Sequence, residues 1–107
     1  IALPSTTVGT ANIKSDTYSA RIGASLGLTV KSTGFNAADA TAIIEGSNKN
    51  STTDTDFFEV PESLITIAAN SITYAGSSIT FPYAYWRVKF VKNTNSAGTF
   101  EAIVNES

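Results

Sequence analysis

The chain has 107 residues, enough for one domain, and 42% of them are apolar, enough for one core. Charged residues make up only 15%, well below the ~25% of an average soluble protein, and the net charge of −2 offers no general attraction to nucleic-acid phosphates or anionic membranes. Cys and His are both absent, which excludes a disulfide framework, a Cys- or His-based zinc site and any Ser-His-Asp or Cys-His catalytic arrangement within the chain.

Ser, Thr and Asn supply 36 residues, so the polarity comes from hydroxyls and amides, as in extracellular or virion β-proteins. Residues 1–17 show no clear period; Leu3-Pro4 reads as extended and 5–10 is polar. This segment is expected to be an extended N-terminal arm or an edge strand, ahead of a β-sandwich over 18–107. Tyr18, Ala20 and Ile22 alternate with polar residues, and Leu26, Leu28 and Val30 do so again with one clean apolar face. Ser32-Thr33-Gly34 is a turn. The stretch 36–40 holds the only helical propensity and is too short for more than one turn. Residues 40–46, with Ile43 and Ile44, read as a more buried strand, and 47–56 as a solvent loop.

Phe57, Phe58 and Val60 form a short strand that Pro61 stops, and 64–69 is another. Ser71-Ile72-Thr73-Tyr74 and Ser78-Ile79-Thr80-Phe81 flank Ala75-Gly76-Ser77, which predicts a hairpin. In the strongest strand, Ala84, Trp86, Val88 and Phe90 face the core while Tyr83, Tyr85, Arg87 and Lys89 face outward. Residues 93–98 turn the chain, and Phe100, Ala102 and Val104 mark the last strand. About eight strands with regular turns predict an all-β fold, a single antiparallel β-sandwich of jelly-roll or Ig-like type.

The segments ATAIIEGSNKNSTTDTDFFEV, LITIAAN and YAYWRVKFVKNTNSAGTFEAIV, in that order, are similar to small β-sandwich structural and decoration proteins of bacteriophage virions. The likeness spans about residues 40–104 and includes a closing Gly-Thr hairpin. The resemblance implies a structural role in a capsid, neck, tail or fibre, assembled in a host cytoplasm, with other virion proteins and copies of the same chain as partners.

Asp54, Asp56, Glu59 and Glu62 crowd one acidic stretch, and hard cations favour several oxygen ligands in a flexible loop. Their spacing matches no EF-hand, so a Ca²⁺ site is the alternative to a wet loop, and no metal or cofactor is expected. A glycosidase pair needs two carboxylates across a cleft, which nothing in the pattern suggests. Arg87, Lys89 and Lys92 beside Tyr83 and Tyr85 form a basic-aromatic strip. The first reading is a solvated strand face pairing Glu101 or another carboxylate, the second a protein contact, the third a nucleic-acid surface. The expectation is a non-enzymatic virion protein with interaction candidates Leu3, Pro4, Tyr83, Tyr85 and Arg87, binding neither nucleic acid nor membrane. A carbohydrate-binding module is the alternative.

Overall fold

The structure, a computed structural model, describes residues 3–7, 12–36, 39–68 and 73–106. Its strand segments run in chain order: β1 (Leu3–Thr7), β2 (Ile13–Lys14), β3 (Tyr18–Ser19), β4 (Ser25–Thr33), β5 (Ala40–Ser47), β6 (Phe58–Glu59), β7 (Ile65–Ile67), β8 (Thr73–Thr80), β9 (Tyr85–Val91) and β10 (Thr99–Glu106). One sheet has the order β1-β10-β4-β8; the other has β2-β9-β5-β6, with β3 also on β9 and β7 also on β5. The short pairs β2/β3 and β6/β7 are each one interrupted lane. A serine fills each gap: Val88 N–H donates to Ser15 Oγ at 2.8 Å, and Ile44 N–H to Ser63 Oγ at 2.8 Å. The segments therefore occupy eight lanes, in the orders 1-8-3-6 and 2-7-4-5 along the chain. Every pairing is antiparallel, and this is the jelly-roll order, one of the two sandwich types expected.

Period-two alternation places the core. Leu26, Leu28 and Val30 of β4, Ile44 of β5 and Val88 of β9 are fully buried, and Trp86 is 9% exposed, so these strands point the faces their sequence predicts. Phe90 stacks on Phe100 across the two sheets with ring centroids 3.8 Å apart, and Tyr18 stacks on Trp86 at 4.7 Å.

Four local expectations change. Residues 73–80 are one continuous strand, not a hairpin: β4 offers a partner for every residue from Thr73↔Ser32 to Thr80↔Ser25, and Gly76 lies opposite Thr29 without the positive φ a tight turn needs. Ile22 is not in a strand but in a turn, 71% exposed, where Gly23 takes φ +83°. The turn over 93–98 does not close a hairpin, because β9 and β10 belong to different sheets. Ser32 and Thr33 extend β4, leaving the turn to Gly34. Of the stretch with helical propensity, Ala37 and Ala38 lie outside the described residues, and Ala40 already belongs to β5. Leu3–Thr7, in the segment expected to be an arm or an edge strand, pairs with β10 of its own sheet.

Candidate interaction surface

β5 and β9 pair with Ile44 opposite Val88 and Gly46 opposite Trp86 on the inner face, so Glu45 and Arg87 stand opposite one another on the outer face. That face is not solvated. Arg87 is 3% exposed and Glu45 6%, with Arg87 Nε donating to Glu45 Oε1 at 2.7 Å. The polar stretch after β5 folds back over them. Arg87 Nη2 donates to Asp54 Oδ1 at 3.1 Å, Nη1 reaches the Thr52 carbonyl at 3.5 Å, and the guanidinium lies 3.8 Å above the Phe57 ring. Lys14 Nζ meets the other Asp54 oxygen at 2.7 Å, which ties the second lane to the same loop. A buried guanidinium has five N–H donors to satisfy, and this loop supplies the acceptors. The solvated-face reading of Arg87 is therefore corrected: the partner is a carboxylate, Glu45 and not Glu101, and the loop covers the guanidinium. With 3% exposure, Arg87 presents no surface of its own to a binding partner.

The four carboxylates of the acidic stretch go to different places. Asp54 serves Lys14 and Arg87, whose hydrogen bonds hold its pKa below the ordinary aspartate range. Asp56 accepts from the Ser51 hydroxyl at 2.6 Å, which lowers its pKa, with Lys49 adding to the effect. Glu59 pairs with Lys89 at 2.9 Å and raises the lysine pKa. Glu62 lines a separate groove with Val60, Ile79, Thr80 and Pro82. Among the described residues no three metal-ligating side chains converge, so the Ca²⁺ alternative finds its carboxylates dispersed.

Tyr83, expected to face outward, lies ahead of β9 and packs its half-buried ring against the core over Gly46, where an added Cβ would overlap it. Phe81 meets Tyr83 edge-on at 5.6 Å, and Phe58, 61% exposed, lies parallel to Tyr83 within 8° at 6.1 Å. Phe58 also walls a pocket of about 280 Å³ with Asn48, Lys49, Thr55 and Asp56. Tyr85, half-buried, pairs with Ser19 and Ser47 at the start of β9, and the Leu3 and Pro4 backbone lies in β1, away from these tyrosines in the other sheet. Among the described side chains, Phe58 with Tyr83 forms an exposed aromatic surface. Alternation alone makes Phe58 a strand residue and gives Glu45 no role; the signal in the sequence is a lone carboxylate directly after the apolar run Ala42-Ile43-Ile44, which calls for a buried partner.

No protein-family model matches this chain, and no curated protein matches it. Among the described residues no helix is long and apolar enough to cross a membrane.

Proposed function

We propose that this protein is a non-catalytic structural component of a virus particle, acting through protein–protein contacts. The supporting observation is the strand order, 1-8-3-6 against 2-7-4-5, an architecture that viral capsid domains share. The likeness of residues 40–104 to phage virion proteins points the same way. A sandwich in which a polar loop closes over a buried ion pair suits a part that must hold its shape in many copies. The test is co-sedimentation: on density gradients of purified particles from the source, an antibody to the chain finds it in the particle band at a fixed ratio to the shell protein. Recovery only from the soluble fraction overturns the reading.

The Phe58–Tyr83 pair favours a second reading, a carbohydrate-binding module, since lectin domains share this fold as well. An exposed ring beside a pocket with amide, hydroxyl and paired charged groups has the mixed apolar and polar lining of a small-molecule site. Retention on polysaccharide gels that Phe58→Ala abolishes without lowering the melting temperature would support it; unretarded wild-type protein would exclude it.

A further inference from the structure

A sandwich that is not closed has four edge lanes, each with unpaired backbone groups that invite another strand, and proteins commonly interrupt or charge such edges. Three of the four are interrupted here. β1 carries Pro4 and a register shift between Leu3 and Thr6, which places a bulge in the strand. The β2/β3 lane breaks at Ser15, and the β6/β7 lane breaks at the 3₁₀ turn Pro61–Ser63. The fourth edge, β8, runs eight residues without a break, and its whole length is in register with β4. Among the described residues, β4 is the one strand hydrogen-bonded to it. Its sequence, Thr-Tyr-Ala-Gly-Ser-Ser-Ile-Thr, contains neither a charge nor a proline.

We propose that the outer edge of β8 pairs antiparallel with β8 of a second copy, around a twofold axis normal to the sheet. The joined sheet would run β1-β10-β4-β8 and back through the same strands of the other protomer. The choice of a second copy follows from charge. In an isologous contact each side chain near the axis meets its own copy, so every charge there meets a like charge. No charged residue occurs from 63 to 86, which covers β7, β8 and the start of β9, the longest uncharged run in the chain. Such an edge offers nothing to an acidic or basic partner and imposes no repulsion on itself. Antiparallel pairing about a twofold axis keeps side chains of like parity opposite each other, which puts Gly76 or Ser77 at the axis, where bulk is least. The same margin of the molecule leaves apolar surface uncovered. Leu64, 52% exposed, lies between the 3₁₀ turn and β7, both of which lie against β8. Beside them Val60, Ile79, Thr80 and Pro82 line a groove of about 450 Å³.

This inference names the surface for the self-contacts of the proposed virion role and rests on that reading for its biological setting, while its physical test does not. Sedimentation of the intact chain from micromolar to several hundred micromolar should show a monomer–dimer equilibrium. Successive strand residues turn their N–H groups to opposite sides, so Ser77→Pro and Ser78→Pro remove one inward and one outward donor. The inward variant should lose stability through its lost bond to β4. The outward variant should keep the wild-type circular dichroism and sediment as a monomer. Gly76→Glu, where an added Cβ comes no nearer than 3.4 Å to the Leu28 carbonyl oxygen, brings two like charges together at the axis. It should weaken the dimer severalfold at low salt and regain part of the loss at high salt. Wild-type protein that stays monomeric throughout, or a folded Gly76→Glu variant that dimerises as well as wild type at every salt concentration, overturns the proposal. Particle association by a chain that fails these tests would leave the virion reading standing, and dimerisation by a chain absent from particles would do the reverse.

Discussion

Arg87 and Glu45 illustrate how two of the most hydrophilic side chains come to be buried on the outside of a sheet. Burial of either alone is costly, and mutual pairing with Asp54, the Thr52 carbonyl and the Phe57 ring meets the guanidinium on several sides. Arg87→Ala leaves Glu45 charged and unpaired, and Glu45→Ala leaves the guanidinium short of its closest acceptor. Each single change is expected to cost about 3–5 kcal/mol in urea unfolding, and the double change Glu45→Leu/Arg87→Met far less than the sum. Additive losses would show that the pair is not coupled. Asp54 makes a pH-dependent contribution of known sign. Lys14 and then Arg87 lower its folded-state pKa, so its stabilisation is complete above the ordinary aspartate pKa and is lost as pH falls through the lower folded value. The stability difference between wild type and Asp54→Asn should be flat from pH 5 to 8 and shrink only in stronger acid. Because Asp54 is largely exposed, added salt should reduce the difference at every pH.

At the scale of the element, β5 is enclosed along both edges. It pairs with β9 on one side and with β6 and β7 on the other, and its inner face at Gly46 receives the Tyr83 ring. A methyl group at position 46 would overlap that ring and approach Phe81 Cζ to 2.9 Å, and β5 cannot retreat because it is paired on both edges. Gly46→Ala should therefore displace Tyr83, break its parallel contact with Phe58 and destabilise the fold by about 1–3 kcal/mol, the range of overpacked cores. Tyr83 ring resonances in the nuclear magnetic resonance spectrum report the displacement; unchanged shifts with full stability would mean that the ring is not held there. The loop after β5 shows the same dependence on context. Its residues are polar enough to read as a wet connection, yet Asp54 and Thr52 close over a buried arginine.

For the whole molecule, the jelly-roll order makes the first strand depend on the last. Among the described residues β1 pairs with β10 alone, through Leu3↔Ala102, Thr6↔Phe100 and Thr7↔Thr99, and β10 in turn pairs with β4 along eight residues. Deleting residues 1–7 strips β10 of one neighbour and makes it an edge. The truncated chain should remain folded but unfold at lower urea, with a loss of about 1–3 kcal/mol from a few ladder hydrogen bonds at ~0.5–1.5 kcal/mol each. An unchanged midpoint would mean that the segment adds nothing to its own domain and is available to a neighbour.

The strands with one apolar face were legible in the sequence because alternation is a local property: Leu26, Leu28 and Val30, then Trp86, Val88 and Phe90, point inward whatever surrounds them. Composition likewise fixed what the chain lacks, since no fold supplies an absent imidazole or thiol. What the tertiary structure decided was pairing. Gly76 looked like a turn because glycine permits one, and it stays extended because β4 offers a partner on every residue of β8. Arg87 looked exposed because alternation turns it away from the core, and it is buried because a loop more than thirty residues earlier in the chain folds over it. Phe58 and Tyr83, 25 positions apart in sequence, form one aromatic surface only because β6 and the segment before β9 meet at the same end of β5. Local periodicity encodes which face of a strand is apolar. Which strand lies beside it, and what covers its other face, depends on contacts between residues far apart in sequence, to which a period of two residues is blind.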